Sequence, residues 1–332
     1  MPNLHDLWHI LRQEPFKATN DVSLRMYGEA VGVRLYAGLE RNSNSPLLVL
    51  EIPKSAKPKE WSHASTSAFD AQAVALSGLP SGRIALSIKL KDSRFEDLFA
   101  LLGEDIIKVV ETASDEVSAV RSVVRQIGRW RKFLERGKRH LTGEEVRGLL
   151  GELAVLGQCI VKYGPGISLS AWQHDGGLRD FEFPSFAVEV KTYQAASGAE
   201  VRINDPAQLE PATGRPLYLA AIQLSLAENT GWSLSLAVNQ VNNLLAENVE
   251  LHEKFFDSLA LQGYLPAHAE QYPERYLISP AECYLVSDGF PRITSASVPL
   301  GLKNVVFSIQ LASLGDFKVQ TGEILGVYLP LE

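Results

Sequence analysis

Leu4, Leu7, Trp8 and Leu11 recur at helical spacing, which predicts a short amphipathic helix over residues 3–13. The pattern then changes period. VGVRLYAGLE (31–40) and PLLVLEIP (46–53) alternate or run apolar with β-branched residues, and SNSP (43–46) marks a turn between two strands. RIALSIKL (83–90) reads as another strand, whereas 54–82, rich in Ser, Pro, Lys and Gly, reads as loop. From Arg94 the helical period returns, with one helix over RFEDLFALLGEDIIKVVE and a second over DEVSAVRSVVRQIGRWRKFLERG, ending near Gly137.

A stronger helix follows. Thr142 and Glu145 form a T-x-x-E capping box, and Val146, Leu149, Leu150, Leu153, Leu156, Ile160 and Val161 make one apolar stripe until Gly164-Pro165 stops it. Strand-like runs come next at 178–183, 186–193, 216–226, 276–287 and 303–311, with helical stretches at 233–247 and 250–262. No internal repeat and no low-complexity tract interrupts this order. The pattern divides the chain into a β-rich N-terminal domain (1–115) of unassigned role, a basic helical connector (116–140) and a second domain (141–332).

A length of 332 residues supports about two domains. With 45% hydrophobic and 21% charged residues the chain is an ordinary globular one, which excludes disordered, collagenous and coiled-coil classes. Its net charge of −7 excludes a uniformly basic nucleic-acid wrapper. Resolved by position, however, Arg121 to Arg147 holds nine Lys/Arg against three Glu, a local +6 that leaves −13 on the rest. Arg125, Arg129, Arg131, Lys132, Lys138 and Arg139 are the candidate phosphate-tracking residues in that stretch, against the plain reading of a solvated helix face. Cys159 and Cys283, far apart and in no CxxC, read as small buried hydrophobes in a reducing cytosol. With no signal-peptide pattern and no apolar run of membrane-spanning length, a cytoplasmic location and no membrane partner are expected.

The chemistry concentrates between Leu178 and Tyr193. Phe186, Val188 and Val190 alternate with Ala187, Glu189 and Lys191, placing Glu189 and Lys191 on one strand face. Pro184-Ser185 is a turn signal. A two-residue loop there pairs 183 with 186 and 181 with 188, so Asp180 falls opposite Glu189. Opposed Cβ atoms stand about 4.5–5.5 Å apart, where two carboxylates repel unless a proton or a hard cation such as Mg²⁺ lies between them. Lys191 adds a positive charge two residues along the same face, able to orient a water or steady a charged phosphate. Glu152 lies on the flank of the preceding helix's apolar stripe, within reach of a sheet edge. Gly148 and Gly151 beside it each cost a helix about 1 kcal/mol relative to Ala, which points to close packing there.

These residues resemble the PD-(D/E)XK nuclease superfamily, whose core is a metal-binding Asp, a spacer, and (Asp/Glu)-x-Lys on the next strand: Asp180, Glu189 and Lys191 here. Glu152 in GELAVL resembles the acidic residue that many of these families place on the preceding helix. The wider chain is similar to an uncharacterised bacterial family of PD-(D/E)XK motif proteins linked to restriction and phage defence. That resemblance implies an α/β restriction-endonuclease-like core, a mixed sheet flanked by helices, behind the β-rich N-terminal domain. It further implies a Mg²⁺-dependent DNA endonuclease, with Mn²⁺ as a substitute. Asp180, Glu189 and the Val190 carbonyl would hold the metal, Lys191 would orient the attacking water, Glu152 would assist, and the products would carry a 5′-phosphate and a 3′-hydroxyl. Double-stranded DNA is the implied partner, with other defence proteins and a homodimer suited to double-strand cleavage. The alternative is a catalytically inactive DNA-binding or scaffold subunit that keeps the nuclease fold.

Other candidates carry less. Asp316-Phe-Lys318 also satisfies (Asp/Glu)-x-Lys but sits in a loop-like stretch. Glu182 reads as a solvent-exposed carboxylate, and His5 with His9 as a surface helix pair lacking a third ligand. His174 and Gln208 are candidates for touching phosphate or water, with ordinary loop positions as the plain reading. Walker A, Rossmann, HExxH and G-x-S-x-G patterns are absent from the sequence.

Overall fold

The structure is a computed structural model that describes residues 3–14, 21–58, 61, 65–66, 68–74, 79–135, 140–174, 177–194, 198–211, 214–245 and 248–328. The chain folds as two compact units, Met1–Lys138 and Arg139–Glu332. The first begins with helix α1 (Leu4–Gln13) and continues through strands β1 (Val22–Ala30), β2 (Val33–Glu40), β3 (Ser45–Pro53), β4 (Phe69–Val74) and β5 (Arg83–Leu90). Helices α2 (Glu96–Glu111) and α3 (Glu116–Glu135) complete it. The strands form one antiparallel sheet in the order β1-β2-β3-β5-β4. Alternation in β2 buries Val33, Leu35, Ala37 and Leu39, while Leu47 to Ile52 of β3 is buried on both faces at the sheet's centre. Trp130 and Phe133 of α3 are fully buried, so that helix belongs to the core of this unit.

Two strands depart from the pattern-based reading. β1 has no clean alternation and carries a bulge between Met26 and Gly28, and β4 lies inside the segment expected to be loop. The β1–β2 turn is a two-residue loop, with Ala30 paired to Val33 and both loop residues left-handed, Val31 at φ 43° and Gly32 at φ 79°. Gly32 suits that conformation; Val31, β-branched, is strained in it.

The second unit opens with α4 (Gly143–Tyr163), whose Thr142–Glu145 capping box forms as expected. The helix ends at Tyr163 with Gly164 as its cap, as the Gly164-Pro165 stop implies, and Pro165 does more than follow it. That proline occupies the first turn of a new helix, α5 (Pro165–Ala171), where its missing N–H is harmless. Strands β6 (Phe181–Glu182), β7 (Ala187–Gln194), β8 (Glu200–Ile203) and β9 (Leu217–Ala227) follow, then helices α6 (Leu234–Leu244) and α7 (Val249–Gln262). Strands β10 (Arg275–Ile278), β11 (Glu282–Leu285), β12 (Phe307–Gln310) and β13 (Lys318–Val319) come before the short helix α8 (Thr321–Ile324). The run expected at 276–287 is thus two strands, and β8 is a strand the pattern did not predict. The mixed sheet runs β13-β11-β9-β7-β6, with β10 also on β9; β7 and β9 are parallel and the other pairs antiparallel. β8 and β12 form a separate ribbon. Val188, Val190, Ala220 and Ile222 pack with the α4 stripe and with α6 and α7. On the other face Ala187, Leu217, Leu219 and Ala221 join Val201, Ile203 and Ile309. A parallel strand pair buried on both faces accounts for the near-continuous apolar run of β9.

Candidate functional site

The hairpin forms in the expected register. Phe181 pairs with Val188 and Glu182 with Ala187, around Pro184-Ser185. β6 is only two residues long, so the ladder stops before Asp180. There the Asp180 side chain takes over, its Oδ2 accepting the Val190 N–H at 2.7 Å, while its backbone carbonyl accepts from Gln173. In an extended strand a residue's N–H and C=O point the same way. The Val190 carbonyl therefore faces the same edge as the Asp180 carboxylate.

Glu189 is fully buried, at 0% exposure. Lys191 Nζ stands 2.6 Å from Glu189 Oε1 as an ion pair, but off the line of a well-directed hydrogen bond. Both Glu189 oxygens thus lack a well-directed donor among the described residues. Glu152, in the middle of α4, accepts Trp172 Nε1–H at 2.8 Å and Gln262 Nε2–H at 2.7 Å, both on Oε2. Taken as whole residues, Glu152 and Asp180 are partly exposed, yet their carboxyl groups are densely surrounded. Glu152 is therefore less open than its place on the helix flank suggests.

The charges act on one another. Burial, then Asp180, pushes the Glu152 carboxyl up to about 8, against the opposing pull of its two N–H donors and Lys191. Burial likewise raises Asp180, opposed by Lys191 and the Val190 N–H. Glu189 rises well above the usual carboxylate range through burial and then Asp180. For Lys191 burial works downward, but Glu189 and Asp180 more than offset it and its pKa rises. Three carboxyls thus share one ammonium in a poorly solvated place, and each is pushed above its usual range because burial outweighs the one cation there.

That shortage is the test of whether a metal fits. Hard oxygen donors with no well-directed protein donor on Glu189 suit Mg²⁺ or Mn²⁺, which take one or two carboxylates and keep several waters. Among the described residues no three His, Cys, Asp or Glu side chains are already gathered as a metal cage. Asp180, Glu189 and the Val190 carbonyl are the groups that would hold such an ion.

Close packing at α4 is confirmed at one glycine only. A Cβ on Gly151 would come within 2.4 Å of Thr192 Cγ2 on β7, whereas at Gly148 it would meet nothing within 4 Å. Sequence reasoning missed Trp172, Gln262, Arg179 and Arg215. Arg179 and Arg215 each bond Glu182 at 2.8 Å, and Arg215 also bonds the Phe183 carbonyl at 2.8 Å. Glu182 is therefore an ion-paired clamp on the hairpin rather than a free surface carboxylate. Arg179, charged and adjacent to Asp180, was the one signal in the sequence that could have pointed to it.

The remaining candidates lie elsewhere. His174 packs edge-on against Trp172 at 6.0 Å between ring centres, and Gln208 Oε1 accepts the Asn204 N–H at 3.1 Å, closing its own loop. Arg125, Arg129, Arg131 and Lys132 are on α3 in the first unit, and none is without a partner. Lys138 and Arg139 lie outside the described residues. Asp316 is exposed and Lys318 pairs with Glu282 at 2.5 Å, so the second (Asp/Glu)-x-Lys forms no site. His5 pairs with Asp97, and His9 bonds Gln13. Among the described residues no helix is long and apolar enough to cross a membrane.

A mixed α/β sheet with an Asp just before one strand of a hairpin and Glu-x-Lys on the other is consistent with a PD-(D/E)XK-like fold. The chain belongs to the family DUF4420, described as "Putative PD-(D/E)XK family member", whose model matches residues 4–312. No curated protein and no solved structure matches it.

Proposed function

We propose that the second unit is a Mg²⁺-dependent DNA endonuclease of a prokaryotic restriction or anti-phage system, hydrolysing phosphodiester bonds in double-stranded DNA. The observation that carries this reading is that Asp180, Glu189 and Glu152 act on one another electrostatically with Lys191 as the cation they share. Asp180, Glu189 and the Val190 carbonyl would hold the ion. When bound, it would stabilise negative charge building on the phosphate. Lys191, now paired with Glu189, is the group that can release toward a phosphate oxygen or a water and orient it. Family membership supports a nuclease-like fold, and PD-(D/E)XK families commonly use divalent metals.

The test is cleavage of plasmid and linear DNA with Mg²⁺ or Mn²⁺, wild type against Lys191→Ala and Asp180→Asn. Loss of cleavage in both variants is expected; equal cleavage in all three would sink the assignment. The Lys191–Glu189 ion pair also suits a second reading, a non-cleaving DNA-binding or scaffold subunit in which lysine permanently neutralises Glu189. Salt-dependent DNA binding without metal-dependent cleavage would select it.

A further inference from the structure

We propose that Trp172 and Gln262 are positioning residues for Glu152, together holding Oε2 and leaving Oε1 as the oxygen the site can use; this rests on the cluster being a divalent-metal site. The two donors come from different elements, 20 and 110 residues from Glu152, and converge on one oxygen at 2.8 and 2.7 Å. Among the described residues Oε1 accepts no hydrogen bond.

The donors are themselves fixed. Trp172, 1% exposed, packs its ring on Phe255 of α7 at 6.0 Å between centres. Lys254 Nζ on α7 bonds Ser170 Oγ on α5 at 3.0 Å, a second tie between the segments that supply the two donors. Gln262 is the last residue of α7, whose end is set by Gly263 in the left-handed region at φ 95°. A carboxylate bound twice on one oxygen cannot turn. So held, Glu152 would present Oε1 to a water on the ion that Asp180, Glu189 and the Val190 carbonyl would bind, and outer groups that orient a metal's surroundings typically contribute ten- to hundred-fold in metal affinity.

A plainer account exists. A buried indole N–H needs an acceptor, and Glu152 supplies one for the sake of packing alone. That account predicts a metal affinity indifferent to both donors.

Mn²⁺ binding to the full chain, read from the electron paramagnetic resonance signal of free Mn²⁺, separates the two. Gln262→Met and Trp172→Phe remove the N–H donors, and Val241→Ala, a cavity in the α6 core, serves as a control for lost stability. Wild type is expected to bind, both donor variants to bind about ten- to hundred-fold more weakly, and Val241→Ala to bind like wild type while unfolding at lower urea. Undiminished affinity in both donor variants, or a loss shared by Val241→Ala, overturns the positioning role while the metal site stands. A wild type that binds no Mn²⁺ overturns the metal reading and this inference with it. Should Trp172→Phe fail to fold, Gln262→Met at its half-buried position decides alone.

Discussion

Replacing Gly151 and Gly148 separately by alanine tests how closely α4 approaches β7. Each substitution gains about 1 kcal/mol of helix propensity. At Gly148 the new methyl meets nothing within 4 Å, so that gain should survive. At Gly151 it would stand 2.4 Å from Thr192 Cγ2 and 3.4 Å from Val190 Cγ1, whereas unstrained carbons sit about 3.5–4.0 Å apart. Thr192 is β-branched and cannot swing far on a strand, so helix and sheet must part by about 1 Å. Overpacking of this kind costs about 1–3 kcal/mol, which cancels or reverses the helix gain. The two variants should therefore differ by about 1–3 kcal/mol in urea unfolding at unchanged slope, Gly148→Ala being the more stable. Because Glu152 is the next residue, Gly151→Ala should also weaken Mn²⁺ binding. A Gly151→Ala protein at least as stable as Gly148→Ala would refute the close approach.

Val31→Asn should stabilise the first unit by about 1 kcal/mol, since Asn tolerates the left-handed conformation that strains Val31; an unchanged urea midpoint would argue against this turn. Burial, and then His140, depresses His268 to about 4 from 6.5. The unfolded chain therefore takes this proton first, and the stability linked to it is full above about pH 6.5 and lost as pH falls toward 4, about 3 kcal/mol in all. His268→Phe should remove that part of the acid slope, and an unaltered slope would contradict it. Glu152 has the opposite sign. With its carboxyl raised to about 8, the metal-free protein should lose stability as pH rises from about 4.5 to 8, by a few kcal/mol. Glu152→Gln, melted in chelator across that range, should flatten the decline; parallel curves would count against it.

What the sequence disclosed was whatever local chemistry controls. The Thr142–Glu145 box, the α4 stripe and the Pro184-Ser185 turn were enough to set the hairpin register and bring Asp180 beside Glu189 and Val190. β1 escaped because an edge strand with a bulge at Met26–Gly28 has no two-residue period to read. Gly164-Pro165 stops α4 as its sequence implies, but that the same proline opens α5 was not legible, because proline stops one helix and starts another equally well. Glycine alone could not tell Gly148 from Gly151, a difference that depends on Thr192, a residue 41 positions from Gly151. The clamp on Glu152 is the clearest case. No periodicity links it to Gln262, because side chains 110 residues apart meet only once the fold has formed.

The brevity of β6 bears on association as well as chemistry. A two-residue strand leaves Glu189 to Gln194 of β7 without a ladder partner on that side among the described residues, and such an edge invites a strand from another molecule. Asp180 occupies the Val190 N–H where that strand would begin. Removing its carboxylate with Asp180→Ala would expose the edge and favour concentration-dependent self-association, whereas Asp180→Asn keeps an acceptor there. On this reading one side chain would serve both the proposed chemistry and the protection of an open strand edge.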